Sequence, residues 1–189
     1  MKRSAGVFAL AMILTGCTMY SLVKPQRTAI GDFYTVEPQR PWSSISEGKV
    51  EVWTVDGPAL EAIRIVKGLE DDEVLFEGKD EEHRPKFRKQ MTATEILEVV
   101  VDSFTLLGAQ AIEARNLRPE TFGNVEGFRF EMKYLTKEGL EMQGFIVGAV
   151  MEERLHLIMY TGTKAYYFPK YRDDVERIIR SIEMPKREA

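Results

Sequence analysis

Three runs of alternating side chains follow one another almost without a break between residues 127 and 162, and whatever else the chain forms must be arranged around them. "GFRFEMKYL" puts Phe128, Phe130, Met132 and Tyr134 on one side and Arg129, Glu131 and Lys133 on the other, the period of two that marks a strand. "TKEGLE" turns the chain into "MQGFIVGAV", and "EER" turns it into "LHLIMYTG". Connections this short leave no room for the crossover a parallel pair needs, so these strands form an antiparallel meander.

The remaining elements attach to that sheet. "KVEVWTVDG" (49–57) and "ALEAIRIVKGL" (59–69) flank the turn signal Asp56-Gly57-Pro58 and read as a hairpin. "GDFYTVEP" (31–38) reads as a short strand. Residues 70–90 are dense in charge and read as a long loop with a small strand at "EVLF". Over 92–108, Thr92 and Glu95 have the spacing of a capping box. There Ile96, Val100, Phe104 and Leu107 share a helical face, and Gly108 ends the helix. "AQAIEARNL" and a turn at "RPETFGN" lead into the meander. Val175, Ile178, Ile179 and Ile182 give the last segment a helical stripe. The fold class read from this order is α+β, an antiparallel sheet flanked by helices, with residues 31–189 as a single globular domain. The chain's 189 residues, 44% apolar and 30% charged, are enough to build one core. A formal charge of −4 and a pI near 5.4 argue against broad nucleic-acid binding.

The one cysteine lies at the end of the only strongly apolar run. Lys2 and Arg3 precede an uncharged stretch from Ser4 to Thr15, too short for a membrane span, which needs about twenty apolar residues, and suited to a signal peptide. Leu14-Thr15-Gly16-Cys17 resembles the lipobox of bacterial lipoproteins: an aliphatic residue, two small ones, then cysteine. That resemblance implies a diacylglycerol on the Cys17 sulfur, cleavage between Gly16 and Cys17, and acylation of the new amino group. Two or more acyl chains anchor stably where one does not. It divides the chain into a signal peptide (1–16), a lipidated N-terminus and tether (17–30), and the domain. Loss of Lys2 and Arg3 with the leader takes the formal charge from −4 to −6, so attraction to an anionic leaflet contributes nothing overall and the lipid must hold the protein. Thr18 stands where an inner-membrane retention signal would place Asp, which favours the outer membrane, periplasmic face, over the inner membrane.

A second resemblance covers roughly the last half of the chain. Gly127, Phe128 and Phe130, then Leu155, Leu157 and Ile158, the aromatic loop "YYF" (166–168) and the final "SIE" (181–183) resemble the PsbP-like sheet-and-helix domains. That resemblance implies an α/β/α sandwich around an antiparallel sheet, in a superfamily acting mainly as binding or assembly modules, with no shared catalytic motif.

Residues with reactive chemistry are few. His83 sits in the charged loop. His156 sits in a strand with Arg154, Ile158 and Tyr160 on its side, the setting of a hydrogen-bonded surface residue. With Cys17 lipidated, two histidines and scattered carboxylates do not make a metal site, and Glu70-Asp71-Asp72-Glu73 lacks the spacing of a calcium loop. No nucleophile elbow, dinucleotide fingerprint or P-loop occurs, and Ser103 beside Asp102 points away from it on a helix. Trp53 and at least one of Tyr166, Tyr167 and Phe168 read as core. Trp42, after Pro41 in a loop, reads equally as an exposed anchor or a lid. Segment 77–90 reads as a solvated loop, with a partner-facing role as the alternative. The expected function is a lipid-anchored envelope protein whose domain binds another envelope protein or a small ligand without catalysis, cofactor or metal. A periplasmic hydrolase or transferase, or a structural lipoprotein, stands as the alternative.

Overall fold

The computed structural model describes residues 20–77 and 83–185. In chain order these form β1 (Ser21–Val23), β2 (Thr28–Ile30), β3 (Tyr34–Val36), β4 (Trp42–Glu47), β5 (Val50–Thr54), β6 (Glu61–Leu69), α1 (Ala93–Leu106), β7 (Gln110–Phe122), β8 (Val125–Leu135), β9 (Glu141–Met151), β10 (Arg154–Thr163) and α2 (Tyr167–Arg180). Eight strands make one sheet in the order β1-β4-β5-β6-β10-β9-β8-β7, while β2 and β3 form a separate hairpin. Every neighbouring pair in the sheet is antiparallel. The meander β8-β9-β10 follows the alternation of its side chains, and β5 pairs with β6 across the Asp56-Gly57-Pro58 turn.

The balance of elements corrects the expected fold class. Strand takes 48% and helix 18% of the described residues, which make a sheet with two helices added, not an even α+β or α/β/α sandwich. Strand content rises because three segments read as irregular are paired. β4 is polar in sequence ("WSSISE") yet lies between β1 and β5. β7 runs for 13 residues through the expected "RPETFGN" turn. Residues 20–30, expected as tether, contain β1 and β2, so paired backbone begins at Ser21. The leader and the lipobox residues Gly16 and Cys17 lie outside the described residues.

Each face of the sheet has its own core. On one, α2 and the β2–β3 hairpin cover Trp53, Ile63, Ile65, Phe145 and Tyr160. On the other, α1 covers Val66, Phe130, Met132, Ile146 and Leu157, together with Leu75 and Phe87. Those last two come from the 70–90 segment, which sends Leu75 and Phe87 into the core while most of its other described residues stay exposed. α1 begins at its capping box, with the Glu95 amide donating to Thr92 Oγ1 at 3.3 Å and the Thr92 amide donating to the Glu95 carboxylate at 2.7 Å. Ile96, Val99, Val100 and Phe104 of α1 are buried, whereas Leu107, expected on the same face, is exposed.

Antiparallel pairing gathers the connections at two ends of the sheet. The first end holds the β5–β6 and β8–β9 turns, the exit of β10 into α2 and the passage from α1 to β7. The second holds the β4–β5, β7–β8 and β9–β10 turns, the segment leading to α1, and the C-terminal end of α2, where Ile182 and Met184 approach Gly123.

Candidate functional site

The second end contains a cavity built on a histidine. His156 of β10 lies on the face covered by α2 and is 1% exposed, not a surface residue as its polar neighbours suggested. Across from it, β6 carries one residue too many: Leu155 pairs with Leu69 but Leu157 with Val66. Such a bulge re-aims the side chains beside it. Gly68 takes the extra backbone with φ of 70°, a left-handed conformation natural to glycine. A Cβ there would stand 2.7 Å from Phe33 Cζ and 3.3 Å from His156 Cε1. The missing side chain is what lets Phe33 seat against the imidazole, with ring centroids 4.6 Å apart and edge to face. Tyr34 approaches the same ring at 5.9 Å. Both aromatics come from the β2–β3 hairpin, which Thr35 and Glu183 tie to the C-terminal segment through two backbone hydrogen bonds of 2.9 and 3.0 Å.

Nδ1 of His156 has no hydrogen-bond partner among the described residues. Burial, helped by the nearby Arg154 charge and opposed by Glu152, pushes the imidazole down to about 4. It is therefore neutral near pH 7, and each ring nitrogen then acts as either donor or acceptor. Leaving a buried polar atom unpaired costs about 1–3 kcal/mol. The Tyr34 hydroxyl is buried and unpaired as well. Burial, aided by the Glu51 carboxylate, raises its pKa, so it stays protonated.

His156 lines a cavity of about 970 Å³ whose apolar walls include Phe33, Val125, Met151, Ile182 and Met184, with Asp32, Glu152 and Glu183 also lining it. A smaller hollow of about 420 Å³, lined by Tyr34 and Arg27, shares Asp32, Glu183, Met184 and Pro185 with it. Apolar walls interleaved with polar side chains, at this size, fit a ligand pocket. Its described lining contains no serine, threonine, cysteine or lysine. The signal in the sequence was Gly68, which breaks the β-branched run "AIRIVKGL" opposite His156.

The other candidates are scattered. Ser103 is buried, its hydroxyl donating to the Val99 carbonyl at 2.7 Å, while Asp102 is exposed. His83 is exposed at the border of the undescribed residues 78–82. Trp42 is not a loop anchor: it opens β4, is 1% exposed and packs near Tyr171. Trp53 is buried with its Nε1 donating to Glu51 at 2.7 Å. Of the "YYF" residues Phe168 is core and Tyr166 is exposed. In the charged segment, Lys86 and Arg88 pair with Asp72, and Lys89 with Glu153. Among the described residues no group of three or more His, Cys, Asp or Glu is placed to hold a metal, and no helix is long and apolar enough to cross a membrane.

The chain is similar to the solution structure of cyanobacterial PsbP (CyanoP) from Synechocystis sp. PCC 6803, with a TM-score of 0.56 over 97% of this chain and 98% of that one, at 12% sequence identity. The fold is PsbP-like. The likeness extends the resemblance seen in the last half of the sequence to nearly the whole length, and at this identity it concerns the fold alone. No family model matches the chain, and no curated protein matches its sequence. The PsbP-like fold thus supplies the frame, and the cavity over His156 must be judged on its own chemistry.

Proposed function

We propose that this chain is a lipid-anchored protein of the bacterial envelope that binds a partner, without catalysis, through the cavity over His156. The observation that carries the binding role is the unpaired Nδ1 of a buried, neutral histidine in the lining of an apolar pocket. A bound group restores the missing hydrogen bond and covers Phe33, Met151 and Met184 from water, two contributions of the same sign. The fitting occupant is an apolar group carrying one hydrogen-bonding head, either a small ligand or a side chain of another envelope protein. Support for the anchor comes from the sequence: a basic start, a short apolar run and the lipobox ending in Cys17. Thr18 favours the periplasmic face of the outer membrane.

The test places a photo-crosslinking amino acid at Asn124, on the cavity rim, and at Leu97, packed against the opposite core, in cells making the full chain. A discrete adduct from position 124, absent from position 97 and lost when Met151→Trp fills the cavity of a still-folded chain, is the expected result. Adducts that survive Met151→Trp would show that the cavity is not the binding site. Labelled fatty acid incorporated into the wild type but not into Cys17→Ala checks the anchor separately.

A further inference from the structure

The exposed apolar side chains are not spread evenly over the molecule. Val55, Leu106, Leu107, Leu140 and Tyr166 are all more than a third exposed, and all five lie at the first end of the sheet, in the β5–β6 and β8–β9 turns, the last turn of α1 with its exit, and the entry to α2. The only other large exposed apolar residues among those described, Tyr20 and Leu22, lie on or beside β1, whose Val23 pairs with Trp42 at that same end. The second end carries none. Its loops hold charged residues instead, Glu70, Asp71, Asp72, Glu152, Glu153 and Glu183 among Lys49, Lys86, Arg88, Lys89 and Arg154. Single exposed apolar residues are ordinary, but their confinement to one end is a polarity of the whole molecule along the strand direction.

We infer that this end of the sheet rests on a lipid bilayer, with the cavity over His156 held at the far end. Apart from Leu107, which borders a hollow with Val52, Arg64 and Phe76, the apolar residues stand on separate connections, which suits a fluid surface that closes around each side chain better than a protein partner of fixed shape. Lysines are interleaved with them: Lys24, Lys137, Lys164 and Lys170, the last two paired with Glu141 and Asp56. Lysine stems lie along apolar surface while their heads reach water or anionic headgroups. Both ends carry ion-paired charges of both signs, so the preferred way up is set by the apolar side chains.

The inference rests on the lipid-anchor reading for its tether, and the lengths agree. Three residues separate Cys17 from Ser21, four backbone steps with a reach of at most about 14 Å. Ladder pairing sets Ser21 level with Phe145, through Ser44, Trp53, Ile63 and Tyr160, which leaves Leu140 five residues, about 17 Å, beyond it along the strand direction. A drawn-out tether therefore sets a lipidated Cys17 within a few ångströms of the level of the Leu140 tip, and it is too short to let the domain wander far from the bilayer. Strands of ten residues such as β10 then hold the opposite end about 30 Å away.

The test uses the full chain purified from membranes and reconstituted into vesicles of phosphatidylethanolamine and phosphatidylglycerol containing brominated acyl chains. Leu140→Trp and Asn124→Trp each add a reporter at one end, against the low background of the buried Trp42 and Trp53. The expected result is several-fold stronger quenching at position 140 than at position 124. Equal quenching, or stronger quenching at 124, overturns the orientation. The mass of the Cys17 peptide from the same preparation tests the anchor independently. Should Cys17 carry no lipid, co-sedimentation of the unlipidated chain with these vesicles, lost in L106E/L140E, supports the docking face alone, and no co-sedimentation removes it. Circular dichroism confirms that each variant is folded, since all three positions are exposed.

Discussion

Lowering the pH should destabilise this protein through His156 by an amount the structure sets. In the folded chain the imidazole is pushed from 6.5 down to about 4, so unfolding binds a proton over the interval between those values. The depressed folded value means the contribution is fully present above pH 6.5 and is lost as the pH falls toward 4. The whole gap corresponds to about 3 kcal/mol at 1.36 kcal/mol per pH unit. Between pH 7 and pH 5 the linkage relation removes about 2 kcal/mol of it, a large share of the 5–15 kcal/mol typical of a domain. Arg154 and Glu152, the charged groups acting on the ring, oppose one another, and burial dominates both. The assay is urea unfolding of wild type and His156→Phe, followed by the fluorescence of the buried Trp42 and Trp53, at pH 7 and pH 5. Carboxylates titrating elsewhere affect both proteins alike, so the wild type should lose about 2 kcal/mol more than the variant across this interval. Parallel pH profiles would refute the reasoning, because the histidine would then be either solvated or already paired.

Glu61 should act in the opposite sense. Its carboxylate accepts from Thr54 Oγ1 and from the amides of Val55 and Asp56 at 2.7, 2.5 and 2.9 Å, yet burial outweighs these bonds and raises its pKa. A raised folded value means its stabilising contribution is present below pH 4.5 and falls as the pH rises, so Glu61→Gln should flatten the profile on the alkaline side of 4.5 in the same urea assay. Arg129, which forks onto Glu176 and stacks 4.1 Å over Phe145, should cost about 3 kcal/mol when replaced by alanine, at the lower bound for a broken buried pair because Glu176 keeps some contact with water. The double variant R129M/E176L should recover most of that loss. Gly148→Ala should destabilise by about 1–3 kcal/mol through overpacking, since its Cβ would meet Leu157 Cδ2 at 2.4 Å and the His156 carbonyl at 2.6 Å; an unchanged thermal midpoint would contradict that.

Local periodicity carried much of the fold. The meander, the 49–69 hairpin, the capping box of α1 and the stripe of α2 each follow from residues close together in sequence, and they are the elements whose patterns were read correctly. β7 was hidden by Pro119 and by residues 121–124, which signal a turn, because the rule against proline in strands does not hold at a sheet edge, where an absent N–H breaks no ladder. β4 was hidden because Ser43, Ser44 and Ser46 have no strand signature of their own and take their conformation from β5 and β1. The burial of His156 was illegible for a different reason. Arg154, His156, Ile158 and Tyr160 form a mixed face, and what covers it is a hairpin more than a hundred residues earlier in the chain. Alternation shows which side chains share a face but not what is laid over them, so the cavity that this covering leaves could be seen only with Phe33 and Met184 in place.

The two borders of the sheet bear on life in a crowd. Molecules confined to a surface meet side by side far more often than molecules free in three dimensions, and an open border of unpaired amides invites the next copy to add itself, the first step toward a fibril. One border here offers three residues of β1. The other offers the 13 of β7, but that length is interrupted by two register shifts, with Ala111 and Asn116 at positive φ, and by Pro119. Glu113, Arg115, Arg118 and Glu120 place alternating charges along the remainder. A copy sliding into contact would find no uninterrupted run of donors and acceptors to match, so packing these molecules densely need not turn sheets into threads.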